Sequence, residues 1–103
     1  MTTLANGRIR HSVVFTPTHA AGTPEEADLL AAIERLAAIP GVEAFELMRE
    51  MSPKNDYRYA LTMEFADVSS YQAYNEHAEH VAFVEQRWDP EIAAFLEIDT
   101  VAL

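Results

Sequence analysis

Two helix punctuation marks constrain this chain most. Thr23-Pro24-Glu25-Glu26 opens a run in which Leu29, Leu30, Ile33, Leu36 and Ala37 recur at helical spacing, and Pro40-Gly41 closes it. Thr23 is the expected N-cap, Pro24 sits at the first helical position, and Glu26 is expected to complete a capping box by reaching back to the Thr23 N–H. Strand-like runs flank this helix. Arg8 to Thr16, rich in β-branched and aromatic residues, reads as a first strand ended by Pro17. Val42 to Met51 reads as a second strand, with Phe45, Leu47 and Met51 alternating against Glu46, Met48 and Glu50.

Ser52-Pro53-Lys54-Asn55-Asp56 is a turn cluster, and Tyr57 to Phe65 then alternates as a third strand, predicting an antiparallel hairpin. A second helical region is expected from Asp67 or Ser69 to about Ala94, broken around residues 75–80, with Pro90 restarting a last turn after Asp89. Phe95 to Val101 closes the chain as a fourth strand. The order β-α-β-β-α-β predicts an α+β, ferredoxin-like plait with a four-stranded antiparallel sheet and helices on one face. Strands one and two carry apolar residues of both parities, so the other face is expected to meet a second copy as a homodimer.

A chain of 103 residues, half of them hydrophobic, is expected to form a single domain over 1–103 with its core at about 8–101. Cysteine is absent, which excludes disulfides, thiolate metal sites and cysteine nucleophiles. The formal charge of −10, with no Lys/Arg cluster, argues against nucleic acid and anionic membrane as partners. The first residues lack a basic region followed by an apolar run, and no stretch is long and apolar enough to span a bilayer, so a cytoplasmic location is expected. No phosphate loop, serine elbow or dinucleotide motif is present.

The chemistry-bearing residues concentrate in Tyr71-Gln-Ala-Tyr74-Asn-Glu-His77-Ala-Glu-His80-Val-Ala-Phe83-Val84, running on to Trp88. His77 and His80 have metal-ligand spacing without a clear third ligand, and no metal is expected. His19 reads as a solvated loop residue, and Phe83 and Trp88 as packing the second helix onto the sheet.

With these elements in place, the chain resembles the stress-responsive α/β-barrel (Dabb) family of small dimeric proteins. Four segments carry the resemblance: Arg10-His11-Ser-Val-Val-Phe15; Ile39-Pro40-Gly41-Val42; Phe65-Ala-Asp-Val-Ser-Ser-Tyr71-Gln-Ala-Tyr74; and His77-Ala-Glu-His80-Val-Ala-Phe83-Val84, followed by Ile98-Asp99. Many members have proline after the first histidine of that pair, where this chain has Ala78. The resemblance implies two ferredoxin-like subunits sharing one dimeric α/β barrel. Relatives include stress-associated proteins and cofactor-free enzymes, among them a plant polyketide cyclase that promotes an intramolecular aldol condensation. Its catalytic histidine and tyrosine match His80 and Tyr74, one pocket histidine matches His11, and another falls at Tyr59.

The expected site therefore has His80 as general base and Tyr74 as hydrogen-bond donor to a developing enolate oxygen. His11, Tyr59 and His77 are the expected binding residues, the ligand is a small apolar carbonyl compound, and no cofactor is implied. On an unbroken helix Tyr74 and His80 would point about 120° apart, so this pairing requires a break between them. The alternative is a non-catalytic stress-response or assembly protein in which His80 caps a helix, His11 is a buried histidine with a partner, and the tyrosines are core.

Overall fold

The computed structural model describes residues 4–103; the expected domain start at Met1 lies outside the described residues. Strand β1 (Ile9–Pro17) leads to helix α1 (Pro24–Glu34) and a tight turn over Arg35–Ala38. Strands β2 (Glu43–Arg49) and β3 (Tyr59–Phe65) follow. Helices α2 (Val68–Glu76) and α3 (Ala78–Phe83) run through a π turn (Val84–Trp88) and the short α4 (Asp89–Glu91) into β4 (Ile92–Val101). The sheet order is β2-β3-β1-β4 with every neighbouring pair antiparallel, which is the ferredoxin-like plait.

Alternation decides which face of the sheet is covered. Ile9, His11, Val13 and Phe15 of β1 and Tyr59, Leu61, Met63 and Phe65 of β3 are all buried, while the residues between them are half-exposed. Leu29, Ile33 and Leu36 close over this face from α1 and its following turn, and Tyr74 does so from α2. Gly41, at φ +92°, takes a left-handed conformation that Pro40-Gly41 needs to turn from the helix into β2.

Several local expectations are corrected. The capping box forms only half: Thr23 accepts the Glu26 N–H, but the Glu26 side chain turns inward. There it takes the Gly22 N–H and the Tyr59 hydroxyl, and pairs with Arg58. This buried carboxylate pins α1 to β3, a larger gain than a local cap. Burial pushes its carboxyl up, but the Gly22, Tyr59 and Arg58 donors outweigh that and hold it below the usual carboxylate range. The last helical segment ends at Glu91, not Ala94, because Ile92 pairs with Pro17 across a bulge. Pro17 has no N–H for a regular ladder, which fits the irregularity there. Met51 lies beyond β2 and is exposed, and His19 is bonded to Glu91 at 2.8 Å.

The exposed apolar surface also differs from expectation. On the uncovered face β1 offers only Val14 beside Arg10, Ser12 and Thr16. On that face the apolar surface comes instead from Met48 of β2 and above all from Leu96 and Ile98 of β4; Phe95 and Val101 of β4, also about half-exposed, share the helix side with Phe15 and Ile9. Strand β4 is an edge of the sheet, so its outer backbone groups have no strand partner within the chain. No helix among the described residues is long and apolar enough to cross a membrane.

Candidate active site

The helix break is located at His77, whose φ of −61° and ψ of 134° are extended. Its N–H closes α2 on the Tyr74 carbonyl, and its Nδ1 accepts the Glu79 N–H as N-cap of α3. Ala78 stands at the first position of α3, where an N–H has no intrahelical partner, so the family's proline is not required for this turn. His77 thus serves the turn and lies outside the lining of the cavity described next.

The break brings together two rings that a continuous helix would separate. Tyr74 and His80 lie 4.3 Å apart between ring centroids, and both line a cavity of ≈ 200 Å³ between the sheet and the helices. His80 Nδ1–H donates to the Asn75 carbonyl oxygen at 3.1 Å. A carbonyl can only accept, so in the neutral ring the lone pair resides on Nε2. Burial pushes the His80 imidazole below its ordinary value, against the Asn75 carbonyl, which favours the charged form. Tyr74 is 2% exposed, and its hydroxyl makes no hydrogen bond among the described residues. Burial, with the nearby Glu97 charge, drives its phenol far above the ordinary value, so it remains a proton-bearing donor.

His11 stands at the other side of Tyr74, with ring centroids 6.4 Å apart. The β1–β4 register sets it opposite Asp99, and its Nδ1–H donates to Asp99 Oδ1 at 2.6 Å. The Tyr71 hydroxyl donates to Asp99 Oδ2 at 2.9 Å and lies 3.3 Å from Glu97 Oε1. Burial and these carboxylates push the Tyr71 phenol far above its ordinary value. His11, Glu97 and Asp99 approach closely enough to hold a metal ion. However, the Tyr71 hydroxyl is already within 3.1 Å of His11 Nδ1 and at those distances from both acids, which closes the group as a hydrogen-bond network.

Val13, Leu61, Phe83 and Trp88 form the apolar wall, and Phe95 continues it at the exposed β4 edge. Trp88 packs on Phe15 at 5.2 Å and meets Phe95 edge-on at 5.5 Å. Val84 and Trp88, at the ends of the π turn, both reach this wall. Tyr59 is elsewhere: its ring packs on Phe15, its hydroxyl donates to Glu26 at 2.7 Å, and it does not line the cavity. Tyr59, expected as a binding residue, is here a strut between β3 and α1.

The sequence profile of the Stress responsive A/B Barrel Domain, Dabb, matches residues 9–102. The chain belongs to the Dabb family. A solved Dabb family protein with a ferredoxin-like fold from Mesorhizobium loti is 52% identical to it, with a TM-score of 0.93 over 95% of this chain and 99% of that one. A hydroxynitrile lyase from Passiflora edulis shares the Dabb chain's fold at 12% identity, with a TM-score of 0.84 over 96% of each chain. A dimeric ferredoxin-like protein of unknown function from Thermobifida fusca is 20% identical, with a TM-score of 0.73 over 96% of this chain and 94% of that one. No curated protein matches the chain.

Sequence reading missed Tyr71, Glu97 and Asp99 as partners of His11. Their signal was two carboxylates at alternate positions of an otherwise apolar strand, which puts both on one face.

Proposed function

We propose that this Dabb protein is a homodimer whose cavity binds a small, apolar, carbonyl-bearing molecule and performs cofactor-free acid–base chemistry on it. The observation that carries this reading is the Tyr74–His80 pair at 4.3 Å on one apolar cavity, with the His80 tautomer held by Asn75. His80 Nε2 takes a proton from the carbon next to the carbonyl, and the electron pair moves into an enolate. Tyr74 donates a hydrogen bond to the enolate oxygen. The proton then returns to carbon, or the enolate carbon attacks a second carbonyl of the same molecule, whose π pair moves onto oxygen, and the resulting alkoxide takes the proton back from His80, as in a polyketide-cyclase-type condensation. His11, held by Asp99, supports the ligand from the other side of Tyr74.

Homodimer formation is supported by the exposed apolar residues of β4 and by dimeric proteins among the solved structures of the same fold. A cytoplasmic location belongs to the same reading. A second reading, a non-catalytic stress-response or assembly protein, is favoured by the His11–Asp99–Tyr71 network, which satisfies its polar atoms without any ligand. A thermal-shift screen with small aromatic and polyketide-like ketones separates the two. The catalytic reading expects stabilisation of the wild type that His80→Ala loses; equal shifts in both proteins remove His80 from the site.

A further inference from the structure

The charges around the cavity are of one sign. Glu97 faces the same side of the sheet as its β1 partner Val13 and lines the cavity beside His11. Its carboxylate oxygen Oε1 is 3.9 Å from His11 Nδ1 and 3.3 Å from the Tyr71 hydroxyl. Asp89 adds a second acidic residue to the lining, and no Lys or Arg is found there among the described residues. Four of the six arginines are paired elsewhere: Arg8 and Arg10 with Glu64, Arg58 with Glu26, and Arg87 with Asp28 and Glu91; Arg35 and Arg49 do not line the cavity. Of the two histidines, His80 is buried toward its neutral form, and His11 is already bonded to Asp99 at 2.6 Å. The chain as a whole carries −10, so the long-range field has the same sign as the local one.

Size narrows the ligand further. At ≈ 200 Å³ the cavity is smaller than pockets for drug-sized ligands, which begin at about 300 Å³. Its aromatic wall of Phe83, Trp88 and Phe95 suits the faces of a single ring.

We infer that the cavity is a charge filter that takes uncharged single-ring ketones or aldehydes and rejects their carboxylate-bearing counterparts, with Glu97 as the specificity-determining residue. This rests on the pocket reading above and goes beyond it by naming the excluded class. An anion entering the cavity would lose water and meet a carboxylate with no compensating cation. Deprotonation of a neutral ketone by His80 keeps the site's net charge unchanged, since the enolate and the imidazolium form together. Glu97 then stabilises the imidazolium.

The test uses two near-isosteric probes, para-acetylbenzamide and para-acetylbenzoate, titrated calorimetrically into wild type and Glu97→Gln. The wild type is expected to bind the amide at least about tenfold more tightly than the acid, and Glu97→Gln is expected to bring the two within about threefold. Amide binding with an equally tight acid, or with an unchanged preference in Glu97→Gln, overturns the filter and leaves the pocket reading standing. Failure of the wild type to bind either probe overturns both. A thermal melt of Glu97→Gln within about 2 °C of wild type establishes that the variant is folded, as expected for an exposed polar exchange.

Discussion

His11 Nδ1 and Asp99 Oδ1 lie 2.6 Å apart, joined across 88 residues of sequence by the register of β1 and β4. That bond fixes which nitrogen of His11 carries its proton and leaves Nε2 free of protein partners among the described residues. Asp99→Asn keeps the shape but removes the charge that orients the ring. It is expected to cost about 1 kcal/mol in urea unfolding, and to broaden or shift the His11 ring nitrogen signals in NMR toward a mixture of tautomers.

At Tyr74 the proposed catalytic role can be separated from stability. Its ring packs on Phe65 at 5.1 Å and on His80 at 4.3 Å, whereas its hydroxyl has no protein partner among the described residues. Tyr74→Phe is therefore expected to change unfolding free energy by less than about 0.5 kcal/mol, while lowering any enolisation rate by about 100-fold. Circular dichroism melts and a rate measurement on the same preparation check both halves.

The depressed His80 imidazole makes stability depend on pH with a definite sign. In the unfolded chain the group titrates at about 6.5, and in the folded protein burial moves it lower. Between those values the unfolded chain binds more protons, so stability rises with pH there. The His80 contribution is complete above about pH 6.5 and is lost as pH falls through the folded value. His80→Gln, which keeps a polar ring-sized group without the titration, is expected to flatten this limb of the stability–pH curve.

Glu26 carries structural rather than chemical weight. At 3% exposure it is the acceptor for Gly22, Tyr59 and Arg58. Glu26→Ala leaves a buried tyrosine hydroxyl and an arginine without their acceptor, and is expected to cost about 3 kcal/mol by chemical denaturation. Its depressed carboxyl adds an acid limb: stability present above the ordinary glutamate range is lost as pH falls through the lower folded value.

On β4, Leu96 and Ile98 point to the uncovered face and are about half-exposed. A double substitution, Leu96→Asp with Ile98→Asp, is expected to convert the dimer to monomer in light scattering at micromolar concentration. A wild type that is already monomeric there contradicts the dimer reading.

The plait was legible because its signals are local. Period-two burial runs through β1 and β3, Thr23-Pro24 starts α1, and Pro40-Gly41 ends the helical segment through a left-handed glycine. The break near His77 was legible only as a requirement, since nothing in Glu76-His77-Ala78 is an intrinsic helix breaker; the imidazole that caps α3 stabilises it. The Glu26 strut and the Asp99–His11 bond depend on register and tertiary contact, which no local pattern encodes. The π turn over Val84–Trp88, which carries Trp88 to the cavity wall, has no composition signature.

Exchange of the protons next to a carbonyl tests the His80–Tyr74 assignment most directly. Acetophenone in heavy water, followed by NMR with catalytic protein, is expected to lose its methyl proton signal faster with wild type than with His80→Ala or Tyr74→Phe. The expected rates of the two variants lie within a few-fold of the protein-free background. Equal exchange for wild type and His80→Ala, with both proteins folded and the ketone shown to bind, would contradict His80 as the base.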